Sequence, residues 1–342
     1  MKAVVFYRPG DIRLEEVCTP TPGPGEVLVR IGSALTCGTD LKTYRRGHPV
    51  MIRETPALFG HEWAGTVKVV GEAVENFRVG DRVVGANSAP CHSCLPCRLG
   101  RVNLCEDLEL LNGAYAEYIR VPARIVEQNL LSLPEHLSFA EAALVEPLAC
   151  ALYGIERSGV RLGQTLCIFG AGPMGLLLTQ LAKKKGARVI VVGKGNFRLQ
   201  KAAEGGADEI LDAAQGSKVL AEVRRLSHEG RGADVTIEAT GRPEVWEQAV
   251  EVTRKAGTVV LFGGCEPGTT FRVDTRRMHY EELTLLGVFH HTPRHIQEAL
   301  TLLSRDVVDG ELLITHRMKL STLADAFKLL ARGEAIKIAL QP

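Results

Sequence analysis

Four cysteines stand close together in a segment without hydrophobic periodicity. Their spacing is C-x2-C-x2-C-x7-C, formed by Cys91, Cys94, Cys97 and Cys105. Four thiolates this close form a tetrahedral set of soft ligands, which zinc fills without redox chemistry. An iron–sulfur cluster uses the same ligands, but its bacterial motif has a shorter last spacing and a following proline. Four unligated buried thiols would need an apolar surrounding that this segment lacks. The spacing predicts a closed, structural zinc site in a lobe at 88–108.

A glycine pattern typical of nucleotide binding follows the apolar stretch TLCIF. Gly170, Gly172 and Gly175 give the spacing G-x-G-x-x-G, and a helix is predicted from about Pro173 and Met174 onward. A strand before these glycines and a helix after them let the backbone approach a pyrophosphate at the positive end of the helix. The alternative is a glycine-rich turn that holds no ligand.

The next strand, ARVIVV, lacks the acidic residue that NAD sites place against the ribose. It ends in Gly193, which is followed by Lys194 and Arg198. A carboxylate here would repel a 2′-phosphate, whereas a cation attracts it, so the pattern favours NADP over NAD. In the alternative interpretation Lys194 is a solvated surface lysine. We expect that Gly193→Asp would shift the preference toward NAD.

A second group of ligand-type residues is dispersed along the chain. Cys37 stands in TCGTD, His61 and Glu62 are adjacent in GHE, and Glu146 stands in VEPLAC. Any one of these residues alone would be unremarkable in a loop. Beside a dinucleotide site, a cysteine, a histidine and a carboxylate suit a zinc ion that keeps one coordination position open.

The composition of the 342 residues restricts the class of protein. Lysine plus arginine (41) nearly cancels aspartate plus glutamate (40), for a formal charge of +1. The chain therefore lacks the overall field that would hold a nucleic acid or an anionic membrane. The start, MKAVVFYRPG, has no signal-peptide core, and no later stretch is apolar for long enough to span a membrane. We expect a cytoplasmic protein in which the nine cysteines serve metal binding or catalysis.

The rhythm of the sequence predicts two domains and a returning tail. Residues 1–150 have valine-rich runs between glycine and proline clusters, which is typical of a mostly β domain. In residues 151–289 predicted strands and helices alternate, which indicates a parallel sheet covered by helices. Its predicted helices are 174–185, one ending near EGGADEIL, and 243–255; its last strand is 282–289. Residues 290–342 are too few for a third core and are expected to complete the first domain.

Many ordered motifs together resemble the zinc-dependent medium-chain dehydrogenases, which include sorbitol, threonine and alcohol dehydrogenases. The motifs run nearly end to end: CGTD, GHE-x-x-G-x-V, GDRVV, the cysteine lobe, YAEYIRVPA, VEPLAC, GAGPMG, IEATG, LFGG, GVF and ADAF. The resemblance implies an α/β architecture: a GroES-like β-barrel catalytic domain and a Rossmann domain with a doubly wound parallel sheet. It places the substrate in the cleft between the domains.

The resemblance also assigns roles to individual residues. Cys37 and His61 would bind catalytic zinc, with Glu62 or Glu146 as the third ligand. Thr39 would contact the substrate hydroxyl. Where relatives often have a proton-relaying histidine this chain has Lys42. The cofactor would be lined by the glycine motif with Pro173 and Met174, the 193–198 loop, Thr240, Phe262, Gly263, Gly264, Val288 and Phe289.

The predicted reaction is hydride transfer between NAD(P) and a secondary alcohol or polyol, or the ketone in reverse. Tyr44 and His290 are candidate substrate contacts, although Tyr44 would equally suit a stacked position in the core. One alternative is a zinc-free quinone or enone reductase on the same scaffold, and another is a zinc-ribbon redox sensor. The expected partners are small-molecule alcohols or ketones and further copies of the chain, in a homodimer or homotetramer, with no nucleic acid or membrane.

Overall fold

The computed structural model describes residues 1–48 and 51–342. The strands are β1 Lys2–Arg8, β2 Asp11–Glu16, β3 Val27–Leu35, β4 Ala57–Leu58, β5 Glu62–Val70, β6 Arg82–Gly85, β7 Ser88–Ala89, β8 Glu109–Leu110, β9 Tyr118–Val121, β10 Leu130–Ser132, β11 Thr165–Phe169, β12 Arg188–Gly193, β13 Glu209–Asp212, β14 Ala233–Glu238, β15 Thr253–Leu261, β16 Thr284–Gly287, β17 Ile314–Lys319 and β18 Lys337–Gln341.

In the part of the chain that the structure describes, α-helices and four short 3-10 helices connect these strands. The α-helices are α1 Gly38–Arg46, α2 Leu95–Arg98, α3 Ala123–Asn129, α4 Phe139–Ala142, α5 Val145–Ser158, α6 Pro173–Lys184, α7 Asn196–Glu204, α8 Lys218–Leu226, α9 Pro243–Val252, α10 Thr275–Tyr280, α11 Pro293–Ser304 and α12 Leu323–Arg332. The 3-10 helices are Val102–Leu104, Ala213–Gln215, His228–Gly230 and Leu320–Thr322. Within the described residues, no helix is long and apolar enough to cross a membrane.

The chain divides into two compact units, one of residues 1–149 with 291–342 and the other of residues 150–290. The first unit contains a sheet in the order β10-β6-β5-β3-β18-β17, to which β9 adds by pairing with β3. A smaller sheet has the order β2-β1-β4. Apolar side chains from the strands of both sheets and from α12 form the core of the first unit, in which Trp63 and Tyr115 are fully buried. Because β18 pairs with β3, the C-terminal segment lies inside this unit.

The second unit is a six-stranded parallel sheet in the order β13-β12-β11-β14-β15-β16. The five residues of β11 are all buried, as expected for a central parallel strand covered on both faces. The order reverses direction at β11 and β14, which is the Rossmann topology and places ligands at the carboxyl ends of these strands. The predicted α/β class is therefore confirmed.

Several elements of the second unit differ from the sequence prediction. The sequence pattern does not predict β13 or α8. The helix predicted to reach residue 255 ends at Val252, where β15 begins, and the last strand covers Thr284–Gly287 rather than 282–289. β13 is a half-buried edge strand, so its residues lack the continuous apolar run by which the central strands are found.

Candidate active site

Strand pairing brings Cys37 and His61 together in the first unit. β3 and β5 are antiparallel with Leu35 opposite Glu62, so the residues just after β3 and just before β5 lie at the same end of the sheet. The ligand atoms of Cys37, His61 and Glu62 all lie within 4.8 Å of one another. The structure thus assembles three of the residues that the sequence analysis proposed for an open metal site.

Cys37 caps the N-terminus of α1. Its Sγ accepts a hydrogen bond from the backbone amide of Thr39, with 3.4 Å between the two atoms. The sulfur lies at the positive end of the helix dipole, with a backbone donor directed at it. The local fold therefore prepares the sulfur as a metal ligand.

Asp40 fixes the orientation of His61. The Nδ1 atom of His61 lies 2.9 Å from Asp40 Oδ1, and both side chains are buried. Because the carboxylate only accepts hydrogen bonds, Nδ1 is the donor, which leaves Nε2 to bind a cation. Burial alone would lower the pKa of His61, but the Asp40 charge and hydrogen bond, together with Cys37, raise that pKa well above its usual value.

Tyr115 supports Asp40 from the far side. Its hydroxyl lies 2.5 Å from Asp40 Oδ2 and 3.1 Å from the carbonyl of Leu35. Burial, together with the Asp40 charge, raises the pKa of Tyr115 well above its usual value. The phenol therefore keeps its proton and donates a hydrogen bond to Asp40. A chain of three buried groups thus holds the imidazole in one tautomer.

Glu62 presents one satisfied oxygen and one orphaned oxygen. Its Oε2 accepts a hydrogen bond from the ammonium of Lys337, which also donates to the carbonyl of Thr36 at 3.1 Å. Its Oε1 is buried and has no hydrogen-bond partner. Burial raises the pKa of Glu62 to about 7, against the lowering effect of Lys337. A buried carboxylate oxygen without a partner is costly unless a ligand completes it.

These donors fit a zinc ion that is bound in an open site. A thiolate, an imidazole nitrogen and a carboxylate oxygen are the donor types found in catalytic zinc sites, which use three protein ligands. The orphaned Glu62 Oε1 and the oriented His61 Nε2 supply two of them, and the helix-capping Cys37 Sγ supplies the third. The structure therefore favours Glu62 over Glu146 as the third ligand.

Glu146 lies close by but has a different neighbour. Its Oε1 is 3.9 Å from Nε2 of His291, which in turn lies 3.1 Å from Asn87 Oδ1. All three side chains are buried. The charge of Glu146 raises the pKa of Glu62, so the two carboxylates interact electrostatically.

The remaining proposed contacts of the active site occupy varied environments. Thr39 is half-buried in the first turn of α1, and Lys42 is exposed one turn later. Tyr44 stacks against Phe327, with 5.4 Å between the ring centroids, and packs on the core. In the second unit, the His290 ring stacks on Phe289, with 5.5 Å between the centroids.

The four lobe cysteines form one compact cluster. Their sulfur atoms lie within 4.8 Å of one another, and Cys94 Sγ is 3.8 Å from Cys105 Sγ. A tetrahedral zinc with Zn–S bonds of about 2.3 Å requires sulfurs about 3.8 Å apart. The Ser93 hydroxyl, with the amides of Ser93 and Cys94, lowers the pKa of Cys91 to about 5. The cluster fits a closed zinc site with four protein ligands.

The glycine motif adopts the geometry that phosphate binding needs. Gly172 caps α6, and Pro173 occupies the first turn of that helix. A Cβ on Gly175 would lie 1.7 Å from the carbonyl oxygen of Gly170, so only glycine lets the helix approach β11 this closely. Met174 is half-buried beside it. The N-terminus of α6 is therefore open to an anion.

The Gly193→Asp substitution, which the sequence suggests as a test of cofactor preference, is sterically blocked in the structure. Gly193 is the buried last residue of β12, and a Cβ there would lie 2.4 Å from the Cβ of Ala171. Such a side chain cannot be added without moving the backbone, so this substitution does not test cofactor preference. Lys194 is exposed directly after the strand, and Arg198 is partly buried in α7. Lys194 is the better position for that test.

The other proposed cofactor contacts lie after the strands of the same sheet. Thr240 follows β14, and residues 262–264 follow β15. The amide of Val288 donates to the carbonyl of Leu261 at 3.2 Å, which ties the segment after β16 to β15. Phe289 is 59% exposed. All of these positions lie at the carboxyl edge of the parallel sheet, where Rossmann folds bind dinucleotides.

Sequence reasoning missed the residues that support the site. Asp40, Tyr115 and Lys337 contact the proposed ligands without carrying a ligand spacing of their own. One signal was available, because Asp40 lies in CGTD and a carboxylate is a common partner of a metal-bound histidine. Lys337 could not be found from its local sequence.

Comparison with known families matches both units. Residues 23–134 match the alcohol dehydrogenase GroES-like domain, and residues 173–305 match the zinc-binding dehydrogenase family. The sorbitol dehydrogenase of Halalkalibacterium halodurans is 33% identical over 100% of this chain and 99% of its own length. The L-threonine 3-dehydrogenase of Pyrococcus horikoshii is 34% identical (99% and 97%), and the (R,R)-butanediol dehydrogenase of Bacillus subtilis 34% (100% and 100%).

Solved structures of similar chains agree in fold over the whole length. A zinc-binding dehydrogenase from Sinorhizobium meliloti bound to NADP has a TM-score of 0.91 and 32% identity, covering 100% of this chain and 99% of that one. An alcohol dehydrogenase from Escherichia coli complexed with NADH has a TM-score of 0.88 and 29% identity, with the same coverage.

These matches define the class of protein as a zinc-binding dehydrogenase with a GroES-like domain and a Rossmann domain. The chain belongs to the zinc-dependent medium-chain dehydrogenase family, as the motif resemblance indicated. It is an oxidoreductase that uses zinc and NAD(P).

Proposed function

We propose that the enzyme transfers a hydride between NADP and a secondary alcohol or polyol, and reduces the corresponding ketone in the reverse direction. The similar proteins are named for sorbitol, L-threonine and butanediol. These compounds share a secondary alcohol with a hydroxyl or amino group on the adjacent carbon. The single observation that carries the proposal is the set of Cys37, His61 and Glu62 with its orphaned oxygen.

In this proposal the first unit is the catalytic domain. Cys37, His61 and Glu62 hold the metal, Asp40 holds the imidazole tautomer, and Glu146 with His291 lines the adjoining polar wall. Zinc bound in this set supplies Lewis acidity, which makes a bound hydroxyl acidic or polarises a carbonyl. The Thr39 hydroxyl accepts the hydrogen bond of the substrate hydroxyl and orients it.

The route of the released proton is constrained by exposure. Lys42 stands where relatives often place a histidine, and its side chain is exposed in α1. We therefore propose that Thr39 is the last protein group of the proton relay and that the proton passes from there to solvent.

The second unit is the proposed cofactor domain, with a preference for NADP. The pyrophosphate would bind at the amides that begin α6, which is open at its N-terminus. Lys194 and Arg198 lie just after β12, where a 2′-phosphate would be met. β12 itself finishes in Gly193 and so ends without an acidic side chain that could accept hydrogen bonds from the ribose hydroxyls, while Asp212 on the neighbouring β13 accepts from the amide of Ala214.

The zinc content and the cofactor chemistry test the proposal together. We expect two zinc ions per chain and alcohol-dependent reduction of NADP. His61→Ala should remove one zinc and abolish turnover while cofactor binding stays intact. One zinc per chain, unchanged in Cys37→Ser, would support the zinc-free reductase instead. Sorbitol, 2,3-butanediol, L-threonine and simple secondary alcohols, each with NADP and with NAD, form the substrate panel.

Two further expectations belong to the same proposal. The resemblance implies a homodimer or homotetramer, which light scattering of the purified protein measures directly. Exposed leucines on the cysteine lobe, Leu95, Leu99 and Leu104, offer apolar surface that an assembly would cover. The lobe thiolates suit a reducing compartment, so we also propose a cytoplasmic location, testable by fractionation of cells.

A further inference from the structure

A buried glutamate stands at the carboxyl end of β14, outside the residues assigned above. Glu238 is the last residue of this strand, and its side chain is fully buried. β14 neighbours β11, the strand that leads into the glycine motif. A carboxylate at this edge costs free energy to bury, so its neighbours must supply hydrogen bonds.

The carboxylate of Glu238 holds the segment that follows it. Oε1 accepts a hydrogen bond from the amide of Thr240 at 2.6 Å and a second from the Thr240 hydroxyl. The amide of Gly241 lies 3.1 Å from both carboxylate oxygens. The indole Nε1 of Trp246, in the first turns of α9, donates to Oε2 at 2.8 Å. Every one of these partners is a neutral donor.

The main chain of Glu238 holds a second loop. Its carbonyl oxygen accepts hydrogen bonds from the amides of Phe262 at 3.0 Å and Gly263 at 2.8 Å. The two loops also pack closely, because a Cβ on Gly263 would lie 2.3 Å from the amide nitrogen of Gly241 and 2.8 Å from Glu238 Oε2. One residue therefore joins the loop after β14 to the loop after β15.

The hydrogen-bond pattern suits a side chain that only accepts hydrogen bonds, as a carboxylate does. Four donor groups converge on two oxygens, and a protonated carboxyl would have to place its own O–H against them. The pKa of Glu238 is raised overall, because burial outweighs the lowering effect of the donors from Thr240, Gly241 and Trp246. A glutamine side chain at this position would direct its NH2 group toward N–H donors, with which it cannot form hydrogen bonds.

We propose that Glu238 is a positioning residue for the cofactor: its side chain fixes the 240–241 loop, which packs on the 262–263 loop, in the arrangement that binds NAD(P). This inference rests on the proposed function, because Thr240 and residues 262–264 contact a cofactor only if the second unit binds NAD(P) as proposed. Glu238 itself does not touch the reacting atoms. Its effect is transmitted through the amides and the hydroxyl that it holds.

The same strand provides a matched control. Asp234 lies near the opposite end of β14, where its carboxylate accepts hydrogen bonds from the amide of Thr165 and from Arg254, both at 2.8 Å. Asp234→Asn therefore also removes a carboxylate charge from β14, here one paired with a backbone amide and with Arg254, at the edge of the sheet remote from the glycine motif. Both variants should lower the melting temperature of the full-length enzyme.

NADPH and NADP are titrated into each full-length variant in the absence of alcohol. The steady-state kinetics are then measured with the alcohol and the cofactor varied in turn. Glu238→Gln should weaken cofactor binding about tenfold or more, since it leaves buried donors unpaired, whereas Asp234→Asn should change it less than about twofold. The KM for the alcohol at saturating cofactor should stay within about twofold in both variants. Glu238→Asp, which keeps the charge, should lie between wild type and Glu238→Gln.

Unchanged cofactor affinity in Glu238→Gln, or equal weakening in both variants, would overturn the inference. If Glu238→Gln does not fold, Trp246→Phe provides the test. It removes one hydrogen-bond donor to Oε2 and keeps an aromatic ring at the position that packs on Phe271. A few-fold loss of cofactor affinity there supports the inference, and wild-type affinity contradicts it. A wild-type enzyme that binds neither NADPH nor NADH would instead contradict the proposed function.

Discussion

The ammonium of Lys337 and the carboxylate of Glu62 form a hydrogen-bonded ion pair in the interior of the first unit, 275 residues apart in the chain. The exposed fractions of the two side chains are 1% and 0%. β18 lies beside β3, so its first residue reaches the end of the sheet where the proposed ligands meet. The C-terminal strand thereby orients one oxygen of Glu62 and leaves the other available.

Lys337→Met should therefore damage both stability and metal binding. Removing one partner of a buried pair leaves an uncompensated charge, which costs about 3–5 kcal/mol of the free energy of unfolding. Trp63 lies in the core of the same unit, so its fluorescence during urea unfolding, in a Trp246→Phe background, reports that unit. Zinc content by mass spectrometry should fall in parallel.

A double substitution separates charge from packing. Lys337→Met with Glu62→Leu removes both charges, so it should recover part of the lost stability while zinc binding at this site stays lost. Lys337→Arg, which keeps the charge, should retain most of the zinc. Equal stability of Lys337→Met and wild type would show that the pair contributes nothing to folding.

The ligands of the site could be predicted from the sequence, and their supports could not. Cys37, His61 and Glu62 carry side-chain types that few other functions need in such motifs. Lys337, the first residue of β18, and Tyr115, in the segment before β9, reach the site only through the register of these strands and the path of the chain beside them, from 275 positions away in one case and 75 in the other. A single sequence does not encode that register in any local pattern.

Asp40→Asn should weaken zinc binding at the catalytic site. The carboxylate accepts from His61 Nδ1 and increases the basicity of the imidazole, and loss of such a partner typically lowers metal affinity about 10–100-fold. Competition with a chromogenic chelator measures the affinity. Tyr115→Phe removes only the donor to Asp40 and should have a smaller effect in the same direction. An affinity equal to wild type in Asp40→Asn would remove this residue from the site.

Cys105→Ser should reduce the zinc content from two ions per chain to one and lower the melting temperature. The closed cysteine cluster holds a loop and offers no position for substrate, so turnover per folded molecule should change much less than stability. Cys18→Ser is the matched control, since Cys18 is an exposed cysteine outside both sets. A large loss of turnover at wild-type stability would contradict a structural role.

The fold class followed from periodicity, whereas the edges of the second unit did not. β11, β12 and β14 are nearly all buried and read as continuous apolar runs. β13 pairs on one side only, and Ile210 within it is 37% exposed, so the pattern that marks a central strand is weak there. The same limit applies to Gly193: the sequence shows a glycine but does not show that Ala171 packs against it.

Lys194→Asp tests the preference for NADP without the steric conflict at Gly193. Lys194 is exposed after β12, so the new carboxylate can be accommodated and would repel a 2′-phosphate. Losing a charge-assisted contact should lower the ratio of kcat/KM for NADP to that for NAD by about tenfold or more. Lys185→Asp makes the same change in charge just after the C-terminus of α6, away from the nucleotide edge, and should leave the ratio unchanged. If Lys194→Asp also left it unchanged, the enzyme would recognise the ribose elsewhere, and the preference for NADP would lose its physical basis.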